Sequence, residues 1–289
     1  MNPKKIIRQL IGARERETIE DALVRKKIGI EKHLYKTRYS TEMLQSVIVS
    51  CGISEGDIVM VHCSWRNMYN YEGTPESAIG MLKSIVGESG TILMPSYGSG
   101  RLCFDVHNTP SRAGVLSEVF RKQDGVYRSR CTHFSVAGCG KDAEELLSDH
   151  INSRYGFDGH SPLAKLSSRP NGKVLFLGLG SRPTKISIFH CAGAYLRDSD
   201  EKLKRLLSRE YESELIDEGT HYTKSMYIRQ PGHENDKASF RRIFDSLSKK
   251  KVKKISNLDV VVIDAAEAFW QAVEFARRGI YCYKGMDRI

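Results

Sequence analysis

Apolar runs alternate with capped helices through the middle of the chain, and that alternation narrows the fold more than any other feature. Asp57-Ile58-Val59-Met60-Val61-His62 reads as a buried strand. Thr74 and Pro75 follow as a cap and a first-turn proline, opening a helix through Ile79, Leu82 and Val86 that stops at Gly87. Thr91-Ile92-Leu93-Met94-Pro95 is a second strand, ended by its proline. Lys173-Val174-Leu175-Phe176-Leu177-Gly178 and Leu258-Asp259-Val260-Val261-Val262-Ile263 repeat the strand pattern. A helix from Ala265 to Arg278, stopped by Gly279, follows the second of these. The pattern predicts an α/β fold: a single domain with a central mixed sheet flanked by helices.

The remaining segments are read more coarsely. Ser111 predicts a capped helix carrying Val115, Leu116, Val119 and Phe120, Asp142 to His150 a short helix, and a further helix beginning near Ser187 carries His190. Residues 1–40 read as an N-terminal helical arm. Residues 198–257 are polar and predict an irregular peripheral lobe over the active site. With no internal repeat and no low-complexity linker, 1–289 reads as one domain.

Composition excludes several classes. At 40% hydrophobic and 28% charged residues, the chain is an ordinary globular sequence and not a disordered one. No apolar run approaches the ~18 residues of a membrane span, and the start has no secretory core, so a cytoplasmic protein is expected. Cys51, Cys63, Cys103, Cys131, Cys139, Cys191 and Cys282 form no CxxC and no zinc-like grouping with histidine. Reduced thiols and no metal are therefore expected. The net charge of +10 and pI of about 9.2 bias partners toward anions. Lys249-Lys250-Lys251-Val252-Lys253-Lys254 reads as a solvated helix end or loop.

Four stretches carry more than a core needs. His62-Cys63-Ser64-Trp65-Arg66 sits where a strand ends, the usual ligand edge of an α/β sheet. Asn108-Thr109-Pro110-Ser111 is a turn opening a helix, whose N–H groups suit a phosphate. Gly156-Phe157-Asp158-Gly159-His160-Ser161-Pro162-Leu163 is glycine-rich and hydroxyl-bearing. Ser187-Ile188-Phe189-His190 places an imidazole just after a core strand. Taken singly, each also reads as a plain turn, a helix start or a core histidine. Walker, GxGxxG and GxSxG motifs are absent.

The order of these pieces is more specific than any one of them. Val61-His62-Cys63-Ser64, Gly90-Thr91-Ile92-Leu93-Met94-Pro95, Thr109-Pro110-Ser111, Gly114-Val115-Leu116-Ser117-Glu118, Arg128-Ser129, Phe134-Ser135-Val136-Ala137 and Ser161-Pro162-Leu163 follow one another along residues 40–197. In that order they resemble the aminoglycoside 3-N-acetyltransferase family. The resemblance implies acetyl-CoA as donor substrate and direct acyl transfer to the amine of a sugar-like acceptor. It implies CoA contacts at His62, Cys63, Ser64, Ser111, Arg128, Ser129, Ser135 and Ser161. His190 falls where the family places the histidine of a His-x-x-Glu motif, and Gly193 stands at the position of the Glu. Cys131 occupies a place where many members have His, with His133 two residues downstream.

The implied general base is His190, with Asp158, Asp198 or Asp200 as the carboxylate that orients it. The next imidazoles in line are His62, His133 and His160. A rival mechanism uses a cysteine nucleophile at Cys191 or Cys63. Two readings of another class stay open: a nucleic-acid-binding module using the basic face, and a degenerate relative that binds CoA or a partner without catalysing. No recognition motif supports nucleic acid, which is not expected as a partner. The basic charge ranks a nucleotide-linked amino sugar of surface-polysaccharide synthesis first as acceptor, and an antibiotic aminoglycoside second. The oligomeric state stays open, a homo-oligomer included.

Overall fold

A computed structural model describes residues 3–14, 18–99 and 102–289. Ten strands alternate with eleven helices among them. The strands are β1 (Ile58–Cys63), β2 (Thr91–Pro95), β3 (Cys103–Asp105), β4 (Tyr127–Arg128), β5 (Val136–Gly140), β6 (Gly172–Leu177), β7 (Arg209–Asp217), β8 (Thr220–Ile228), β9 (Lys251–Ile255) and β10 (Leu258–Asp264). The helices are α1 (Pro3–Leu10), α2 (Ile19–Leu34), α3 (Thr41–Ser50), α4 (Pro75–Val86), α5 (Val115–Phe120), α6 (Ala143–Ser148), α7 (Pro162–Ser167), α8 (Phe189–Leu196), α9 (Glu201–Leu206), α10 (Lys237–Ser246) and α11 (Ala265–Arg277).

Seven strands form the main sheet in the order β4-β5-β2-β1-β6-β10-β9. β1 runs parallel to both β2 and β6, and the other pairings are antiparallel. The apolar runs have no polar alternation because both faces are covered. Ile58, Met60, Val174, Phe176, Val261 and Ile263 pack on one side, in the core that takes in α6 to α11. Val59, Val61, Leu175, Leu177, Val260 and Val262 pack on the other side, with α3, α4 and α5. Each fully buried side chain of this size contributes about 1.5–3 kcal/mol. The expected mixed sheet flanked by helices is the observed architecture.

Local chemistry sets the ends of these elements. Thr74 Oγ1 accepts from Ser77 N while Ser77 Oγ accepts from Thr74 N, a reciprocal cap that starts α4. Gly178 has φ +70°, and a Cβ there would lie 2.9 Å from Asn67 Cβ. Glycine is thus required where β6 turns past the end of β1, and that turn lets the loop after β1 lie open.

Three expectations are corrected. The segment 198–257 is ordered and not wholly peripheral: it supplies α9, the β7–β8 hairpin, α10 and β9. The hairpin joins β3 in a second sheet, while α10 buries Phe240, Ile243 and Phe244 in the main core. Its polarity comes from strands with one solvated face. In the lysine run, Lys249 and Lys250 lie in the loop after α10, as read, while Lys251 to Lys254 belong to edge strand β9, paired only with β10. Charged side chains on such an edge oppose pairing with another chain. Ser111 does not cap α5, which begins after Gly114 (φ +125°). The Ser111 N–H instead donates to the Glu118 carboxylate (2.6 Å).

The predicted helix over 142–150 is α6 followed by a 3-10 turn, Asp149–Asn152, and the helix expected near Ser187 starts at Phe189. The expected arm holds α1 and α2, and its residues 1, 2 and 15–17 lie outside the described residues. Among the described residues, no helix is long and apolar enough to cross a membrane.

Candidate functional site

The ends of the two central parallel strands β1 and β6 open onto a cavity of about 620 Å³. His62, Cys63 and Ser64 line it from the end of β1, with Gly114 and Ser117 across from them at the start of α5. Arg66, Arg112 and Lys185 also line it, and among the described residues no carboxylate does. His62 is 8% exposed, stacks on Phe176 with ring centroids 5.3 Å apart, and its Nε2 has no hydrogen-bond partner. Burial pushes its pKa down to about 4, so it is neutral at physiological pH.

A second cavity of about 520 Å³ lies beside the first, and the two share Tyr97, Phe134, Lys185 and Ser187. Its floor is His190, in the first turn of α8. The rings of Tyr97 and Phe134 stack at 5.2 Å, Phe134 meets Phe157 at 4.7 Å, and Phe157 meets His190 at 5.2 Å. An aromatic row thus leads from the shared wall to the imidazole. His190 Nδ1 lies 2.9 Å from the Tyr283 hydroxyl. Burial first, then the charges of Arg229 and His133, push the His190 pKa down to about 3. The imidazole is a neutral group with a lone pair at any physiological pH. Burial also pushes the Cys63 thiol up to about 12 and the Cys191 thiol higher, so neither is an available thiolate. Cys191 opens into a separate cavity of about 260 Å³ on the other side of α8.

The other sequence-derived positions lie behind these cavities and serve the fold. The Arg128 guanidinium donates to the carbonyls of Ser96, Val106 and Thr109 and covers the Phe104 ring at 4.5 Å. Ser129 Oγ accepts from Val136 N (2.8 Å) and pairs with His150 Nδ1 (2.8 Å), while His150 Nε2 donates to Gly156 O (3.2 Å). Ser135 Oγ donates to Ser129 O (2.8 Å), and Ser161 caps α7 through Ala164 N. Together these hydroxyls fix the loop that sets Phe157 beneath His190.

None of the three carboxylates reaches the imidazole. Asp158 accepts from Arg154 N and Tyr155 N and closes its own loop. Asp198 is 86% exposed and pairs with Arg197. Asp200 caps α9 and accepts from the Tyr281 hydroxyl. The side chain that does meet the imidazole Nδ1 is Tyr283, 93 residues from His190 in the chain. Tyr97, Arg229 and Tyr283 carried no local signal, since only the fold brings them to His190; Phe134 stood in the sequence only as part of Phe134-Ser135-Val136-Ala137. Among the described residues, no three His, Cys, Asp or Glu side chains group as a metal site.

The sequence profile of the aminoglycoside 3-N-acetyltransferases matches residues 60–277. The chain belongs to that family. It is 31% identical over 138 residues to aminoglycoside N(3)-acetyltransferase IV from Salmonella sp., covering 46% of this chain and 51% of the relative. The chain spans about half the length of the curated relatives it matches. Among solved structures, aminoglycoside acetyltransferase AAC(3)-Xa superposes with a TM-score of 0.72 at 20% identity, over 89% of this chain and 99% of that one. The binary complex of AAC-IIIb with CoASH gives 0.71 at 22% identity, over 85% and 98%. At that identity the likeness shows a shared fold. The matched residues include His190 and most of the lining of both cavities, while Thr18, Val24 and Tyr283 lie outside them.

Proposed function

We propose that this protein is an acetyl-CoA-dependent N-acetyltransferase whose acceptor is an aminoglycoside-type amine. The observation that carries the reading is the pair of cavities sharing one wall, with a neutral imidazole on the second. The first cavity suits a CoA thioester: Arg66, Arg112 and Lys185 line it and give it cations to meet the phosphates. The thioester supplies the acetyl group. The acceptor amine, held in the second cavity, forms the C–N bond at the shared wall as the C–S bond breaks. His190 takes the proton from the nitrogen, whose acidity rises as the bond forms, and returns it to the departing sulfur.

The nucleotide-linked amino sugar of polysaccharide synthesis, ranked first from bulk charge, gives way here. The matched relatives are aminoglycoside N-acetyltransferases. None of the residues in the Lys249–Lys254 run lines either cavity, which removes much of the charge argument. Calorimetry is expected to show acetyl-CoA binding, and transfer from labelled acetyl-CoA to a kanamycin-type amine is expected to follow. No heat with any acyl-CoA would overturn the donor assignment, and binding without transfer would favour a non-catalytic relative.

Charge still shapes the acceptor step. The second cavity carries Lys185, Arg209 and Arg229 against Glu234. Those cations repel a polycationic acceptor, and salt screens repulsion within about 10 Å at 0.1 M. The KM for a kanamycin-type acceptor is therefore expected to fall as ionic strength rises toward physiological. A KM that rises with salt would mean that attraction to acidic groups governs binding.

A further inference from the structure

The tyrosine beneath His190 has a role of its own. We propose that the Tyr283 hydroxyl is the positioning group for His190, standing where a carboxylate would otherwise orient the base. The inference rests on the acetyltransfer reading for its kinetic consequence, but not for its geometry.

His190 Nδ1 and Tyr283 Oη are 2.9 Å apart, and the two rings stack at 5.5 Å with 24° between their planes. Gly193 lies three residues along α8, on the same face as His190. A Cβ there would sit 3.4 Å from Tyr283 Oη and 3.5 Å from its Cε2. The glycine therefore leaves the space that the phenol ring fills, and a longer side chain at 193 would collide with the ring. Tyr283 is itself anchored: it is 8% exposed, it bridges Asn235, and the Arg229 guanidinium covers its ring at 5.2 Å. Burial raises its pKa, so the hydroxyl stays neutral.

A phenol and a carboxylate differ in what they do for an imidazole. Both accept a hydrogen bond from Nδ1–H, which leaves Nε2 with the lone pair that takes the amine proton. Only the carboxylate also stabilises the imidazolium. Among the described residues, nothing else around His190 offers that charge: Phe157 and Phe240 pack on the ring, and His133 and Arg229 face it. Lys185, Arg209 and His233 add no negative charge to the shared cavity, and Glu234 is its only carboxylate among the described lining residues. His190 is thereby oriented without being made more basic. Turnover should follow the deprotonation of the acceptor amine and show no acid limb from an imidazole near neutral pH.

Two variants test this by NMR titration of the His190 side chain, with kinetics in parallel. In the wild type, one neutral tautomer protonated at Nδ1 is expected, with no titration near neutral pH. Tyr283→Phe keeps the ring and removes the hydroxyl. It is expected to mix the two tautomers and to lower kcat about tenfold or more, while acetyl-CoA affinity and acceptor KM stay close to wild type. Gly193→Glu combined with Tyr283→Ala installs a carboxylate in the vacated space. It is expected to raise the His190 pKa toward its ordinary range and bring an acid limb into the pH–rate profile. An unchanged tautomer in Tyr283→Phe, or an unmoved His190 titration in a folded double variant, would overturn the proposal. If the NMR behaves as expected but wild-type protein transfers no acetyl group, the acetyltransfer reading fails and the positioning of His190 stands.

Discussion

Replacing His190 with alanine is expected to lower acetyl transfer by about 10²-fold or more while leaving acetyl-CoA affinity nearly intact. The asymmetry follows from where the side chain lies. His190 lines the second cavity and is absent from the wall of the first. On the proposed reading, its loss removes the proton acceptor without touching Arg66, Arg112 and Lys185 on the donor cavity. Removing a ring that packs on Phe157, Phe240 and Tyr283 also loosens the site. His190→Gln fills more of that space and serves as the control for packing, and it should be nearly as slow as alanine. Cys191→Ala is expected to be close to neutral, because that thiol opens to the opposite side of α8. Steady-state kinetics with saturating donor decide the matter. If His190→Ala keeps wild-type turnover, the base lies elsewhere, and His133 and His233 are the remaining imidazoles on this cavity. A trapped acyl-enzyme lost in Cys191→Ala would point to the covalent route.

The contrast between what the sequence disclosed and what it concealed has a physical cause. β1, β2, β6 and β10 were legible because both of their faces are buried, which leaves unbroken apolar runs. α4 and α11 were legible because caps and stops mark their ends. The β7–β8 hairpin was not, since long charged side chains cover its open face and only Ser213 and Leu215 of β7 are buried. β3 and β4, three and two residues long, exist only through their partners in space. The same distinction runs through the site. That His62, Cys63, Ser64 and His190 would line cavities was legible because they follow strand ends in a fixed order. Ser129, Ser135 and Ser161 were assigned to the ligand from the family resemblance, since a hydroxyl at a given position reads alike whether it faces a ligand or ties down a backbone. Tyr283 could not be found at all, because its meaning depends on Gly193 and His190 meeting it across the core.

Mild acid is expected to unfold this protein through its buried histidines, before its ion-paired carboxylates titrate. His150 is 1% exposed, held between the Ser129 hydroxyl and the Gly156 carbonyl, and burial pushes its pKa from 6.5 to about 4. His62, 8% exposed and stacked on Phe176, is pushed down equally far. In the unfolded chain both titrate near their ordinary value. Between pH 6.5 and about 4 the unfolded state therefore binds protons that the folded state refuses, and stability falls as the pH falls. Each group contributes up to about 1.4 kcal/mol per pH unit in that window. Two such groups are large against a total stability of about 5–15 kcal/mol. His190, pushed down to about 3, is shifted in the same sense and adds to the same slope. Glu118 and Asp149 act in a lower window: their ion pairs and hydrogen bonds hold both near 2, so their stabilisation is lost only as pH falls below the ordinary carboxylate range. Urea unfolding at several pH values from neutral to mildly acidic measures the slope, and His150→Gln, which keeps a hydrogen-bonding side chain but cannot titrate there, should reduce it by roughly a third. A stability that stays level from pH 6.5 down to about 5 would show that these histidines are solvated or already charged in the folded protein.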